Sequence, residues 1–206
     1  MISSKEIMEK LDKLISHPKC ELNYTKDYEL LIATVLSAQS TDKRVNMVTN
    51  ILFNKYDLKG IDNAKVEEIE NIIKPVGTYT RKALYIKKIA NRLLTECNGI
   101  VPNNREYLES LPGCGRKTTN VVLANLFNES TFAVDTHVFR VSKRLGITSD
   151  DMNVLTAEKR LMEFFPKSNW SRLHHQLVLF GRYTCKSIKP LCHECPFNLK
   201  CKNKKI

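Results

Sequence analysis

Apolar side chains recur every three or four residues along nearly the whole of this chain, and almost nowhere every second residue. Ile7, Leu11, Leu14 and Ile15 form one such set, followed by Leu31, Ile32, Val35 and Leu36, by Val45, Val48, Ile51 and Leu52, and by Leu84, Ile86, Ile89 and Leu93. That repeat belongs to helices with one face against a core. Further helices are predicted over 65–74, 104–110, 116–127, 136–145, 156–165 and 171–183, each bounded by Pro, Gly, Asn or Asp signals. The expected fold class is therefore all-α. Connections such as "KPVGTY", "CNGIVPNN" and "LGITSDDMN" are short, and neither a fixed-period repeat nor a low-complexity tract interrupts them.

A chain of 206 residues with 42% hydrophobic content can bury one large core or two small ones. Its 33 Lys and Arg against 22 Asp and Glu give a formal charge of +11, spread along the chain. Such a balance favours a polyanionic partner, nucleic acid ahead of acidic membrane surfaces. The longest uncharged run, Leu30 to Thr41, holds 12 residues, short of the roughly 20 apolar residues a spanning helix needs. The opening "MISSKEIMEKLDKLIS" has no long apolar core of the signal-peptide kind, so a cytoplasmic protein is expected.

Of seven cysteines, four (Cys185, Cys192, Cys195 and Cys201) fall in the last 22 residues with the spacing C-x6-C-x2-C-x5-C. Four soft ligands within 17 residues point to a metal loop and away from disulfides. Zinc is the generic occupant of four thiolates, but zinc ribbons usually carry two C-x-x-C pairs and this segment has one, which leaves the metal open. Lys186 and Lys189 lie inside the loop, with Lys200, Lys202, Lys204 and Lys205 at its exit. They offset thiolate charge, and they are candidates for phosphate contacts. Cys20, Cys97 and Cys114 read as buried or inert thiols.

The segment "LPGCGRKTTN" (Leu111 to Asn120) places Arg116 and Lys117 where a helix begins. A helix amino end carries partial positive charge, so two cations there are unfavourable unless an anion binds or one amine sheds its proton. Pro112 suits the second position of a tight turn, and Gly113 the positive φ that a type II turn then requires. Gly115 lets a ligand approach the backbone with no Cβ in the way, a geometry that favours a phosphate oxygen. The pattern "REYLES", "LPGCG", "RKTTNVVLANLF" looks like a helix-hairpin-helix motif, which grips a DNA backbone without reading bases. The plainer alternative is an ordinary connection with solvated Arg116 and Lys117.

Helix dipole, Arg116 and partial burial would each disfavour the ammonium form of Lys117 and leave a nucleophilic amine. Eighteen residues on, Asp135 in "VDTH" stands before an amphipathic helix as an N-cap candidate. A carboxylate paired with an amine can also take its proton and stabilise a developing cation, as attack on a sugar carbon with expulsion of a base requires.

Together "LSAQSTD", "LPGCGRKTTNVV", "AVDTHVFRV" and "FGRYTC" with its cysteine tail resemble the endonuclease III family of DNA glycosylases, over almost the whole chain. The resemblance implies two helical lobes, a six-helix barrel domain over 21–130 and an iron-sulfur domain of 1–20 plus 131–206. It implies that the four cysteines hold a four-iron four-sulfur cluster, distant from the reacting sugar. It further implies that Lys117 attacks C1′ of a flipped damaged nucleotide, assisted by Asp135, and cleaves the strand through a Schiff base by β-elimination. Gln39 corresponds to the family residue that fills the hole left in the duplex, with Asp42 near the same pocket. Both otherwise read as cap residues.

The same resemblance places Thr78, Gly113, Gly115, Arg116, Thr118, His137, Lys186 and Lys189 among the DNA-contacting positions. The implied partner is damaged double-stranded DNA bound by a monomer. Thr78 departs from the pattern, since the family often has an aliphatic wedge there, and Cys114 replaces the usual apolar hairpin residue. His174 and His175 are expected to face different directions and to serve packing or phosphate contacts.

The leading function is a bifunctional glycosylase and abasic-site lyase acting on oxidised pyrimidines. A monofunctional adenine or mismatch glycosylase is less compatible with Lys117, because that class usually lacks a lysine at this hairpin position. A non-catalytic iron-sulfur DNA-binding protein is a further alternative, separable by turnover on an abasic duplex.

Overall fold

A computed structural model describes residues 2–201, so Lys202, Lys204 and Lys205 lie outside the described residues. Among the described residues all regular structure is helical. The helices in chain order are α1 (Ser4–Leu14), α2 (Asp27–Leu36), α3 (Asp42–Lys55), α4 (Leu58–Asn63), α5 (Val66–Ile73), α6 (Tyr79–Glu96), α7 (Arg105–Ser110), α8 (Arg116–Phe127), α9 (Thr136–Arg144), α10 (Val154–Phe164) and α11 (Trp170–Tyr183), with a 3-10 turn at Lys167–Asn169. No helix of the described residues is long and apolar enough to cross a membrane.

The chain divides into two compact units, Cys20–Phe127 and Met1–Lys19 with Asn128–Ile206. In the first, α2 is the central helix. Every residue from Tyr28 to Leu36 is buried, as expected of a helix that is apolar on all sides. It packs on α3, α6 and α8, while α4 and α5 cover α6. Glu29 is buried with them because its carboxylate accepts the amides of Thr25 (2.7 Å) and Lys26 (3.1 Å), capping the helix it belongs to.

The second unit has its own core of Ile7, Leu11, Phe132, Val138, Val141, Leu161, Leu173, Leu177, Phe180 and Phe197. Here α11 packs along α9 and α1. Gly181 permits the α9–α11 approach, since a Cβ there would stand 2.9 Å from His137 Cβ and 3.2 Å from Val141 Cγ2. Gln176 spans α11 and α1, donating to Asp12 Oδ1 at 2.8 Å and to the Ile15 carbonyl at 3.0 Å.

Not every residue of the apolar stripes is inside. Leu14, Ile51 and Leu84 are exposed. Leu84 falls between the turns of the set Lys82, Ile86, Ile89 and Leu93 that α6 buries, so its side chain points off that face. Cys114 is buried as expected, but Cys20 and Cys97 are only partly so.

Candidate nucleic-acid interface and metal centre

In the first unit, α7 and α8 form a helix-hairpin-helix. The Cys114 amide donates to the Leu111 carbonyl at 3.1 Å, closing a four-residue turn around Pro112 and Gly113, whose φ is +78°. Gly113 is required twice over. Its φ suits glycine, and a Cβ would lie 2.8 Å from Tyr85 Cδ2 and 3.1 Å from Val35 Cγ1. Burial of Cys114 pushes its thiol up to about 12, so it packs as a small hydrophobe. Arg105 donates to Asn120 Oδ1 at 2.8 Å and ties α7 to α8.

Gly115 precedes α8, and its carbonyl accepts the Thr119 amide at 3.0 Å. Nothing lies within 4 Å of where its Cβ would be, so the backbone is open to approach just where the first-turn amides of a helix have no acceptors inside it. Arg116 is exposed, Lys117 half-buried and Thr118 buried. The order of these three on α8 thus runs from solvent to core over one turn.

Two further loops of this unit carry Gln39 and Thr78. Both residues are exposed and both have left-handed backbones, with φ of 55° and 54°. For β-branched Thr78 that conformation is an outlier. The Thr78 hydroxyl donates to the Gly77 carbonyl at 2.7 Å, and the Gly77 amide donates to Ser40 Oγ at 3.1 Å. The cap of α3 is neither Gln39 nor Asp42. It is Thr41, whose hydroxyl accepts the Arg44 amide at 3.4 Å, while Asp42 is the first residue of the helix.

Lys82, which sequence reasoning passed over, is 3% exposed and donates to the Leu36 and Ala38 carbonyls at 2.9 and 2.6 Å. Burial lowers its pKa. Its place in the spacing 82, 86, 89, 93 was the available signal, a lysine on the apolar stripe of α6.

In the second unit Asp135 caps α9. Its Oδ1 accepts the amides of His137 and Val138, each at 2.8 Å, which satisfies two of the donors a helix start leaves unpaired. The buried run Phe132–Val134 delivers it there. His137 is half-buried, with Nδ1 3.2 Å from the Arg140 guanidinium. Burial lowers its pKa, and the Asp135 carboxylate opposes that shift. His174 and His175 do not point apart. Their rings lie 4.9 Å from each other, and His174 Nδ1 is 2.7 Å from the Ala133 carbonyl oxygen.

The four thiols Cys185, Cys192, Cys195 and Cys201 line one cavity of about 330 Å³, counting its open side. Turns position them. The Cys185 amide donates to the Phe180 carbonyl at 2.7 Å, and the Cys201 amide to the Phe197 carbonyl at 2.9 Å. Burial raises the pKa of Cys195, and the neighbouring Cys185, Cys201 and Cys192 push the same way. A cation or polycation among them would reverse that direction, because thiolates bind soft metals. Among the described residues no group of three or more His, Cys, Asp or Glu is gathered so as to hold a single metal ion. Lys186 and Lys189 are exposed on this loop, Lys189 with φ +48°.

Comparison with known proteins agrees with this architecture. The HhH-GPD superfamily of base excision DNA repair proteins matches residues 32–167. The chain is 44% identical to Endonuclease III of Bacillus subtilis (strain 168) over 206 residues, covering 98% of this chain and 94% of that one. It is 42% identical to Endonuclease III of Escherichia coli (strain K12), covering 97% and 94%. A non-covalent Endonuclease III-DNA complex superposes with a TM-score of 0.93 at 44% identity, covering 98% and 96%. A trapped Endonuclease III-DNA covalent intermediate superposes with a TM-score of 0.92 at 45% identity, covering 98% and 97%. A thermostable thymine-DNA glycosylase shares the fold at a TM-score of 0.81 and 23% identity.

Proposed function

Since the chain belongs to the endonuclease III family of the HhH-GPD superfamily, we propose that it removes oxidised pyrimidines from double-stranded DNA and cleaves the strand with Lys117 as its nucleophile. It is a bifunctional DNA glycosylase and abasic-site lyase. The observation that supports Lys117 is its half-buried place one residue into α8, directly behind the open backbone of Gly115.

The hairpin amides and exposed Arg116 suit a phosphate oxygen beside the lesion. Lys117, as the free amine, attacks C1′ of a nucleotide flipped from the stack. The C1′–N bond breaks, and the base departs with the electron pair and takes up a proton. The nitrogen now bonded to C1′ loses a proton, the C1′–O4′ bond opens as O4′ takes one up, and the resulting iminium acidifies C2′–H, so that loss of that proton expels the 3′ phosphate. Asp135 is assigned to the proton and charge transfers of these steps. Its cap uses Oδ1, and a carboxylate oxygen beyond the cap can accept a proton or face a cation. Gln39 fills the vacated place in the duplex, and Asp42, Thr78 and His137 complete the DNA-facing set. Thr118, expected among them, is instead buried on the core side of α8 and leaves the set.

The cavity lined by Cys185, Cys192, Cys195 and Cys201 fits a four-iron four-sulfur cluster. All four donors are soft, and all four line the same void. The cluster would fix the fold of the loop that presents Lys186 and Lys189 to phosphates. Neither a monofunctional glycosylase nor a non-catalytic binder is favoured, given the relatives and the lysine at the hairpin.

Borohydride reduction on an abasic duplex tests the assignment. The protein is expected to become covalently attached to DNA, and Lys117→Ala to lose that attachment. Trapping that persists at full yield in Lys117→Ala would place the nucleophile elsewhere.

A further inference from the structure

The buried ammonium of Lys82 is not a spare nucleophile, because both carbonyls it contacts belong to the end of α2 and the loop that follows. It donates to Leu36 O at 2.9 Å and Ala38 O at 2.6 Å. A helix carboxyl end leaves carbonyls unpaired and carries partial negative charge, so a cation there is stabilising. The next residue is Gln39, exposed and held at φ +55°. Lys82 itself sits in the first turn of α6, its amide bonded at 3.1 Å to the carbonyl of Thr78, the other exposed left-handed residue.

A second tie joins the same two loops, from the Gly77 amide to Ser40 Oγ at 3.1 Å. A Cβ on Gly77 would stand 3.4 Å from the Gln39 carbonyl, so the loops are already in contact distance. A left-handed backbone at a non-glycine residue persists only where its surroundings hold it. Here the Lys82 ammonium bonds the carbonyl of Ala38, next to Gln39, and the Ser40 hydroxyl accepts the amide of Gly77, next to Thr78.

We infer that Lys82 is a positioning residue that locks the Gln39 and Thr78 loops into one rigid wedge, so that the two enter the DNA together when a nucleotide is extruded. This rests on the reading of Gln39 and Thr78 as DNA-inserting residues. Lys82 touches neither substrate nor reacting atoms, and its effect falls on the extrusion step. Neutralising it leaves two carbonyls without their donor and lets Gln39 leave the left-handed region, so the wedge is ordered only on binding.

The test compares excision of thymine glycol from a fully paired duplex with excision of the same lesion inside a run of unpaired bases, where extrusion costs little. Lys82→Met, similar in length and uncharged, is expected to lose roughly tenfold to a hundredfold on the paired lesion while changing little on the unpaired one. Ser40→Ala removes only the exposed loop tie, and is expected to show the same selectivity in smaller degree. It carries the test if Lys82→Met fails to fold. Equal loss on both substrates, or no loss on either, would overturn the assignment while leaving the glycosylase reading intact. Wild-type protein that processes neither lesion would overturn that reading and the positioning role with it.

Discussion

The Arg144 guanidinium donates to Cys185 Sγ at 3.3 Å and to the Cys185 carbonyl at 3.3 Å, and it also reaches the Lys186 carbonyl at 2.7 Å. A side chain from α9 therefore fixes both the sulfur and the backbone of the first cysteine of the loop. Arg140 adds a bond to the same carbonyl. With the proposed cluster bound, the Arg144 charge would stabilise thiolate and the extra negative charge of a reduced state. Arg144→Leu is expected to lower iron content per chain as purified and to shift the cluster potential to more negative values, read by iron assay and protein-film voltammetry. Wild-type iron content together with an unshifted potential would mean that Arg144 serves the loop backbone alone.

Asp135 caps α9 and is proposed to serve the chemistry as well, and one pair of variants separates the two roles. Asparagine keeps an oxygen at the cap and removes the carboxylate, whereas alanine removes both. Asp135→Asn is therefore expected to stay within a few tenths of a kcal/mol of wild type in stability while turnover falls by about a hundredfold or more. Asp135→Ala is expected to lose the same turnover and about 1 kcal/mol of stability. Denaturant midpoints and single-turnover excision rates check both. If Asp135→Asn turns over normally, capping is the whole of its role.

The readability of the sequence followed the range of the interactions involved. The α8 bounds, the Pro112–Gly113 turn and the Asp135 cap are local, each set by a few neighbouring residues, and all three stand where the chain alone placed them. The six residues of α4 span too few turns to display a period, and that helix was missed. Thr41 as the α3 cap was overlooked because Asp42 beside it has an equally suitable side chain. Lys82 and the contact between the His174 and His175 rings depend on packing. The lysine reaches α2 from α6, 46 residues away in sequence, and no local pattern states which carbonyls await it.

Gly113 and Gly115 are two residues apart and should respond oppositely to alanine. Gly113→Ala places a Cβ at 2.8 Å from Tyr85 in a left-handed backbone, so a loss of roughly 1–3 kcal/mol in stability is expected. At Gly115 the Cβ would meet nothing within 4 Å, and stability should change by only a few tenths of a kcal/mol. That Cβ would however stand where a phosphate oxygen is proposed to approach. Gly115→Ala is expected to weaken binding to an abasic-analogue duplex by roughly tenfold, measured by fluorescence anisotropy at fixed salt. Undiminished affinity would remove the hairpin backbone from the DNA contact.

His175 makes the stability of the protein sensitive to acid. Burial lowers its pKa below the ordinary 6.5, and the nearby Arg182 charge acts in the same direction. The folded protein thus holds His175 neutral, while the unfolded chain takes up a proton as pH falls through about 6.5. Below that pH the unfolded state binds more protons, so the stability present at neutral pH is lost progressively on acidification, at a limiting slope of about 1.4 kcal/mol per pH unit for one such group. His137, lowered by its own burial, contributes with the same sign. Urea midpoints measured from pH 8 to pH 5 should be flat above 7 and decline below 6.5. His175→Phe, which fills the site with a ring that cannot be protonated, should reduce that decline. An unchanged slope in His175→Phe would assign the acid sensitivity to other groups.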